Sequence, residues 1–101
     1  MNNFKYLWIL LITCCYFRVN PSQIQTFHPT AKLSRVKQIV SYLIYQAGAT
    51  GIQAAEYIGS RDEGIIYHNR HKIAGLIEPG RCQDRRLKCD IDRISKLIDL
   101  N

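Results

Sequence analysis

The fold is decided by a turn and a short helix that read ATGIQAAEYIG, residues 49–59. Gly48 and Gly51, two glycines within four positions, favour a turn over continued helix at residues 47–51. Residues 53–58 then predict a brief helix, and Gly59 suits a left-handed cap at its end. The inward residues of this helix are expected to be Ala54, Ala55 and Ile58. The two alanines would allow a second helix to cross closely.

A longer amphipathic helix is predicted before this turn, over residues 32–46. Its apolar residues recur at spacings of three and four, which places them on one stripe of a helix. They are Leu33, Val36, Ile39, Val40, Leu43, Ile44 and, just beyond the helix, Ala47. This periodicity makes the segment the most strongly indicated element of the chain.

A third helix is predicted after the turn, over residues 63–74. Asp62 can cap its N-terminus, and the cationic side chains late in the segment suit the negative end of the helix dipole. Gly75 is expected to end the helix. The buried face would come from Ile65, Ile66 and Ile73.

The residues that follow predict a small β-hairpin. Residues 76–78 would form its first strand, and Pro79 and Gly80 would turn the chain. Apolar and charged residues alternate over residues 87–92, which is the period of a half-buried strand. Residues 81–86 would then form an exposed basic loop, and a terminal helical turn is expected after the second strand.

In this order, the three helices and the basic hairpin resemble the winged helix-turn-helix domains of bacterial and phage-encoded regulators. The resemblance covers residues 32–93 and is carried best by residues 49–59 and 74–78. It implies a mainly α fold with a small β-hairpin, the three-helix winged helix-turn-helix. It also implies a small phage or bacterial transcriptional regulator that binds double-stranded DNA. His68 and His71 depart from that family, which usually has apolar residues at these positions.

The resemblance assigns DNA contacts to the third helix, which would enter the major groove, and to the wing, which would lie on phosphates. Asn69 could pair with adenine and Arg70 with guanine, each through two hydrogen bonds. The candidate DNA-binding residues are Arg61, Tyr67, His68, Asn69, Arg70, Lys72, Arg81, Arg85, Arg86 and Lys88. A solvated helix face and a solvated turn are the alternative interpretations of these residues.

Composition agrees with a basic binding domain. The 101 residues allow one modest core, and 47% hydrophobic with 22% charged residues argue against a disordered or wholly membrane-embedded chain. Fourteen Lys and Arg against eight Asp and Glu give a net charge of +6. Such a balance favours polyanionic partners, either nucleic acid or anionic lipid.

The N-terminal segment has a different character. Residues 6–17 are apolar between Lys5 and Arg18, a pattern typical of a signal peptide and too short for a bilayer span. The expected organisation is a hydrophobic signal-like or anchor segment (1–19), a linker (20–30) and the winged domain (31–101). The segment could be cleaved, associate with a membrane through residues 4–17, pack on the domain, or reflect a start codon assigned too far upstream. The protein would be cytoplasmic if this is not a functional signal, and otherwise membrane-associated or secreted.

The remaining chemistry is sparse. Cys82 and Cys89 could form a disulfide across the hairpin or stay reduced, and with His68 and His71 they match no standard zinc spacing. No catalytic constellation is present, so neither an enzyme nor a cofactor is expected. The alternative function is a secreted or membrane-tethered small basic protein that binds protein or lipid. A homodimer is a further possibility.

Overall fold

A computed structural model describes residues 3–25, 30–60 and 62–99 of the chain. These residues form helices and contain no strand. The helices are α1 (Asn3–Phe17), α2 (Pro21–Gln25), α3 (Ala31–Gln46), α4 (Gly51–Tyr57), α5 (Glu63–Leu76) and α6 (Arg85–Asp99). α3 is the centre of the bundle and packs against α1, α2, α4 and α5, while α6 packs against α1.

The prediction of a winged helix-turn-helix was wrong, because the described residues contain no β-hairpin and therefore no wing. The alternating residues 87–92 belong to α6. Five or six residues fit a period of two as well as a period of 3.6, and the longer window decides between them. Leu87, Ile91 and Ile94 recur at helical spacing and are all buried.

The α5–α6 connection replaces the predicted hairpin. The Arg81 N–H donates to the Glu78 carbonyl, and the N–H groups of Gln83 and Asp84 both donate to the Leu76 carbonyl. The Asp84 carboxylate then accepts from the Leu87 N–H at 3.0 Å, which caps the first turn of α6. A capped helix therefore starts where the second strand was expected.

The central helix agrees with its prediction. Its apolar stripe from Leu33 to Ile44 is buried as expected, and the helix begins one residue earlier than predicted. The Thr30 hydroxyl accepts from the Leu33 N–H at 3.2 Å and so caps the N-terminus. The stripe supplies the surface on which the other helices pack.

The predicted turns flank α4, but the helix begins at Gly51, two residues earlier than predicted, and ends at Tyr57, one residue earlier. Thr50 and Gln53 form a reciprocal capping box at the start of α4. Gly59 has a φ of +70°, the left-handed conformation expected of it. A Cβ at this position would collide with the backbone carbonyl of Gln25, at the end of α2. Ala54, Ala55 and Ile58 are buried, as predicted.

The third predicted helix is α5. The Asp62 carboxylate accepts from the Gly64 N–H at 2.8 Å, so the predicted cap is confirmed. The helix continues through Gly75 and ends at Leu76, two residues later than expected. Ile66 and Ile73 are buried as predicted, whereas Ile65 is 41% exposed.

The apolar N-terminal segment forms α1, which contributes directly to the core. Tyr6, Ile9, Leu10 and Cys14 are buried in the same cluster as the residues of α3. No helix in the described ranges is long and apolar enough to cross a membrane. Of the predicted linker, residues 21–25 form α2, and residues 26–29 lie outside the described residues.

Candidate nucleic-acid interface

The exposed side of α5 is the first candidate surface. Burial of Ile66, Asn69 and Ile73 on one side of the helix directs the other side to solvent. That solvent side, called the α5 face below, consists of Tyr67, His68, His71 and Lys72, all of them exposed. The two histidines, which depart from the resembled family, therefore occupy the surface and not the core.

Asn69 lies away from this face. Its side chain is only 7% exposed, and its amide donates to the Ser41 hydroxyl at 3.2 Å. Ser41 donates in turn to the Lys37 carbonyl at 2.8 Å, so a short hydrogen-bond chain ties α5 to α3. Reading adenine requires an exposed amide, a requirement that Asn69 does not meet in this structure. The residue instead sets the position of α5 on α3.

Arg70 lies at the edge of the α5 face and is held by aromatic side chains. Its guanidinium carbon lies 5.0 Å from the centre of the Tyr45 ring, within range of a cation–π contact. The rings of Tyr45 and Tyr67 are T-shaped with centroids 5.7 Å apart. The three side chains form a cluster that joins α3 to α5, and the guanidinium keeps hydrogen-bond donors at its edge.

Tyr67 also contacts the start of α4. A Cβ on Gly51 would lie 3.0 Å from the Tyr67 hydroxyl oxygen, so a larger residue at this position would require the Tyr67 ring to shift. The neighbouring Tyr45, partial desolvation and the Glu63 carboxylate raise the pKa of Tyr67 above its ordinary value. The hydroxyl is therefore protonated at neutral pH and can donate a hydrogen bond to a ligand.

A groove of about 770 Å³ adjoins the α5 face between α3, α5 and α6. His71 and Lys88 both line it, so the structure brings one predicted residue of α6 next to the α5 face. The Lys88 ammonium lies 3.3 Å from the Asp92 carboxylate, one turn further along α6. This groove therefore carries paired charges of both signs.

The other predicted residues are spread over the molecule. Arg81 is exposed in the α5–α6 connection, and Arg85 and Arg86 are exposed in the first turn of α6. Cations at a helix N-terminus oppose the helix dipole, so their presence there is not explained by helix stability. Arg61 lies outside the described residues.

Sequence reasoning missed a second group of cations. Arg18, Lys32 and Arg93 line one cleft together with Arg86. The signal on α6 was the spacing of residues 86, 89, 90 and 93, which places them on one side of a helix. Because residues 87–92 were predicted to form a strand, this helical spacing was not recognised.

Metal and disulfide chemistry have little support in the geometry. Among the residues that the structure describes, no group of three or more His, Cys, Asp or Glu side chains is placed to hold a metal ion. Cys14, Cys15, Cys82 and Cys89 are all free thiols. Cys82 and Cys89 do not face each other across a hairpin, because α6 replaces the second strand.

Comparison with known proteins adds one similarity. No family model matches the chain. Over 91 residues, 89% of its length, it is 32% identical to chromosomal replication initiator protein DnaA from strains of Campylobacter jejuni subsp. jejuni and subsp. doylei. The chain spans about 20% of the length of these curated relatives. The similarity thus concerns one small part of a much longer protein.

Proposed function

We propose that this chain binds double-stranded DNA with the α5 face. The observation that carries the proposal is that the second helix of a helix–turn–helix pair exposes Tyr67, His68, His71 and Lys72 while its other side is fixed on α3. Such a helix is preorganised to dock as a rigid body. A net charge of +6 favours the approach of a polyanion.

The chemistry suits the major groove. A helix with its side chains is roughly 10–12 Å wide and the groove is about 12 Å wide, so α5 fits lengthwise. Tyrosine and histidine side chains can donate or accept hydrogen bonds at base edges. Lys72 and Arg70 would contact flanking phosphates, and Arg81, Arg85 and Lys88 would add electrostatic attraction.

The similarity to chromosomal replication initiator proteins supports a partner on the chromosome. On this proposal the protein acts in the cytoplasm, on duplex DNA. Regulation of transcription, predicted from the sequence, would use the same contact.

The test is the affinity for a DNA duplex, measured by fluorescence anisotropy between about 50 and 200 mM salt. We expect affinity to fall steeply with salt, because phosphate contacts release counterions. Lys72→Gln should lower the slope of log affinity against log salt by about one, and His68→Ala should weaken binding about tenfold. The matched control is Lys5→Gln, which removes the same charge from the groove between α1 and the end of α6.

Two results would contradict the proposal. One is the absence of duplex binding by the unmodified chain at low salt. The other is an equal loss of affinity in Lys72→Gln and Lys5→Gln, because the α5 face would then have no particular role.

A second candidate function is binding to an anionic membrane surface through α1. The outer side of α1 exposes Phe4, Leu7, Trp8 and Leu11, with Phe4 87% exposed. Exposed apolar side chains on a protein of net positive charge suit the interface of an anionic bilayer. Trp8 is the single tryptophan, so a blue shift of its emission with anionic vesicles, but not with zwitterionic ones, would support this function. No shift with either would refute it.

A further inference from the structure

A second basic site lies between α1 and α6. It is a cleft of about 570 Å³, and its walls come from the end of α1, the start of α3 and the first half of α6. It is lined by Tyr16, Phe17, Arg18, Lys32, Arg86, Cys89, Asp90 and Arg93. Three segments that are distant in sequence therefore contribute to one cleft.

The charge of this cleft is unbalanced. It has four cations and one carboxylate, that of Asp90. This carboxylate already accepts a hydrogen bond of 2.7 Å from the Tyr16 hydroxyl, and it lies 4.0 Å from the Arg86 guanidinium. Within the described residues no carboxylate forms an ion pair with Arg18 or Lys32. The cleft can therefore accept an anion without first breaking ion pairs at those two side chains.

Arg18, which lines the cleft, has an unusual backbone conformation. Its φ is +57°, a left-handed conformation that is unfavourable for a residue with a Cβ. The Val19 N–H donates to the Cys14 carbonyl and the Arg18 N–H to the Cys15 carbonyl, a helix ending in which glycine is usual. Arginine at the glycine position places a cation where α1 ends at the cleft. Strain retained in this way is commonly associated with binding sites.

The cleft is separate from the groove beside the α5 face. With about 3.6 residues per turn, residues 86, 90 and 93 of α6 lie on one side of the helix and residues 88, 92 and 95 on nearly the opposite side. The first set lines the cleft, and the second lines the groove shared with His71. A ligand in the cleft therefore does not occupy the α5 face.

We propose that this cleft binds a phosphate group, held by Arg18, Lys32, Arg86 and Arg93. Arginine side chains bind phosphate oxygens through paired hydrogen bonds, and a lysine adds a compact charge. The phosphate can belong to a small molecule or to the backbone of a nucleic acid. The site does not depend on DNA binding by the α5 face.

The experiment is a titration of the isotopically labelled full chain with inorganic phosphate, followed by NMR of the backbone amides and the arginine side chains. Sodium chloride at equal ionic strength is the reference. We expect phosphate to shift the signals of Arg86 and Arg93, and Arg93→Gln to weaken phosphate binding roughly tenfold. Lys96→Gln, which removes one positive charge from the last turn of α6 outside the cleft, should leave phosphate binding unchanged. Cleft signals that move no more with phosphate than with chloride, or equal losses in the two variants, would overturn the proposal.

A second titration with a DNA duplex identifies the source of the phosphate. If the same cleft signals move and Arg93→Gln lowers the salt slope by about one, the cleft holds the DNA backbone. If DNA leaves those signals in place while inorganic phosphate moves them, the ligand is a small phosphate compound. Both results support the site. Failure of the chain to bind DNA at all would refute the function of the α5 face and would not affect the inorganic phosphate titration.

Discussion

The α5 face and the α1–α6 cleft carry positive charge in two different ways. On the α5 face, Lys72 stands among a tyrosine and two histidines, which offer donors and acceptors of several shapes. In the cleft, three arginines and a lysine surround a single carboxylate. Varied polar groups can distinguish one base edge from another, whereas repeated cations recognise charge alone. The two surfaces therefore offer different chemistry to a ligand, varied hydrogen-bonding groups on the α5 face and concentrated positive charge in the cleft.

The two surfaces are also supported differently. Below the α5 face, a tight turn and a buried hydrogen bond between Asn69 and Ser41 fix the helix. At the cleft, the supporting contact is the partly buried bond from Tyr16 to Asp90, together with the apolar side of α1. Substitutions below the α5 face should therefore cost more stability than substitutions at the cleft.

The largest effect is expected on the alkylation rates of the two thiols of α1, the helix whose last turn forms a wall of the cleft. Burial raises the pKa of the Cys14 thiol to about 11, so only about 0.1% of it is thiolate at about pH 8. Cys15 is exposed. Alkylation followed by mass spectrometry should modify Cys14 at least about 100-fold more slowly than Cys15 in the folded chain. Urea should remove the difference, and equal rates without urea would mean that α1 is not packed on the core.

The next largest effect is expected for a substitution in the turn before α5. Gly59→Ala should reduce the free energy of unfolding by about 2–4 kcal/mol, because the positive φ and the collision with the Gln25 carbonyl both oppose a Cβ. The control is Gly75→Ala, where a Cβ would meet nothing within 4 Å. The higher helix propensity of alanine should raise the free energy of unfolding of this variant by about 0.5–1 kcal/mol. Urea denaturation measures both values. Equal changes in the two variants would contradict the described turn.

A smaller loss is expected under α5 itself. Ser41→Ala should cost about 1–3 kcal/mol, since it leaves the buried Asn69 amide without its hydroxyl partner. Combining it with Asn69→Leu in a double-mutant cycle isolates the pair, and we expect a coupling of about 0.5–3 kcal/mol. Additive losses would mean that the two side chains do not interact.

The smallest change is expected at the cleft. Tyr16→Phe should cost about 0.5–1.5 kcal/mol near neutral pH by removing the bond to Asp90. That hydrogen bond and, to a smaller extent, partial desolvation raise the pKa of Tyr16, whereas a hydrogen bond with Arg93 lowers it. A raised folded-state pKa stabilises the fold below the unfolded value, about 10, and this stabilisation is lost as the pH rises through the folded value. Unfolding curves of the two chains should therefore converge only as the pH rises through the folded-state pKa of Tyr16, which lies above about 10, and a difference that persists once Tyr16 is ionised would contradict this account.

Local signals made much of the fold predictable. The apolar stripe of α3, the Thr50 turn, Gly59 and the Asp62 cap each depend on residues within a few positions of one another, and each was placed correctly. The hairpin was wrong because a short alternation in α6 was given more weight than the helical spacing of Leu87 and Ile91.

The candidate sites were harder to predict. The burial of Asn69 depends on Ser41, 28 residues earlier, and no local pattern connects the two. The cleft needs three segments to meet, and Tyr16 and Asp90 are 74 residues apart. The exposed side of α5 could be predicted in part, because helical period and residue type suffice for His68 and Lys72.

The most direct test of DNA binding by the α5 face is an NMR map of the chain with and without a DNA duplex. We expect the largest amide shifts at low salt to fall on residues 67–72. We also expect the side-chain N–H protons of His68 and Lys72 to exchange with solvent more slowly in the complex than in the free chain. Shifts confined to α1, with residues 67–72 unchanged at saturating duplex, would contradict DNA binding by the α5 face.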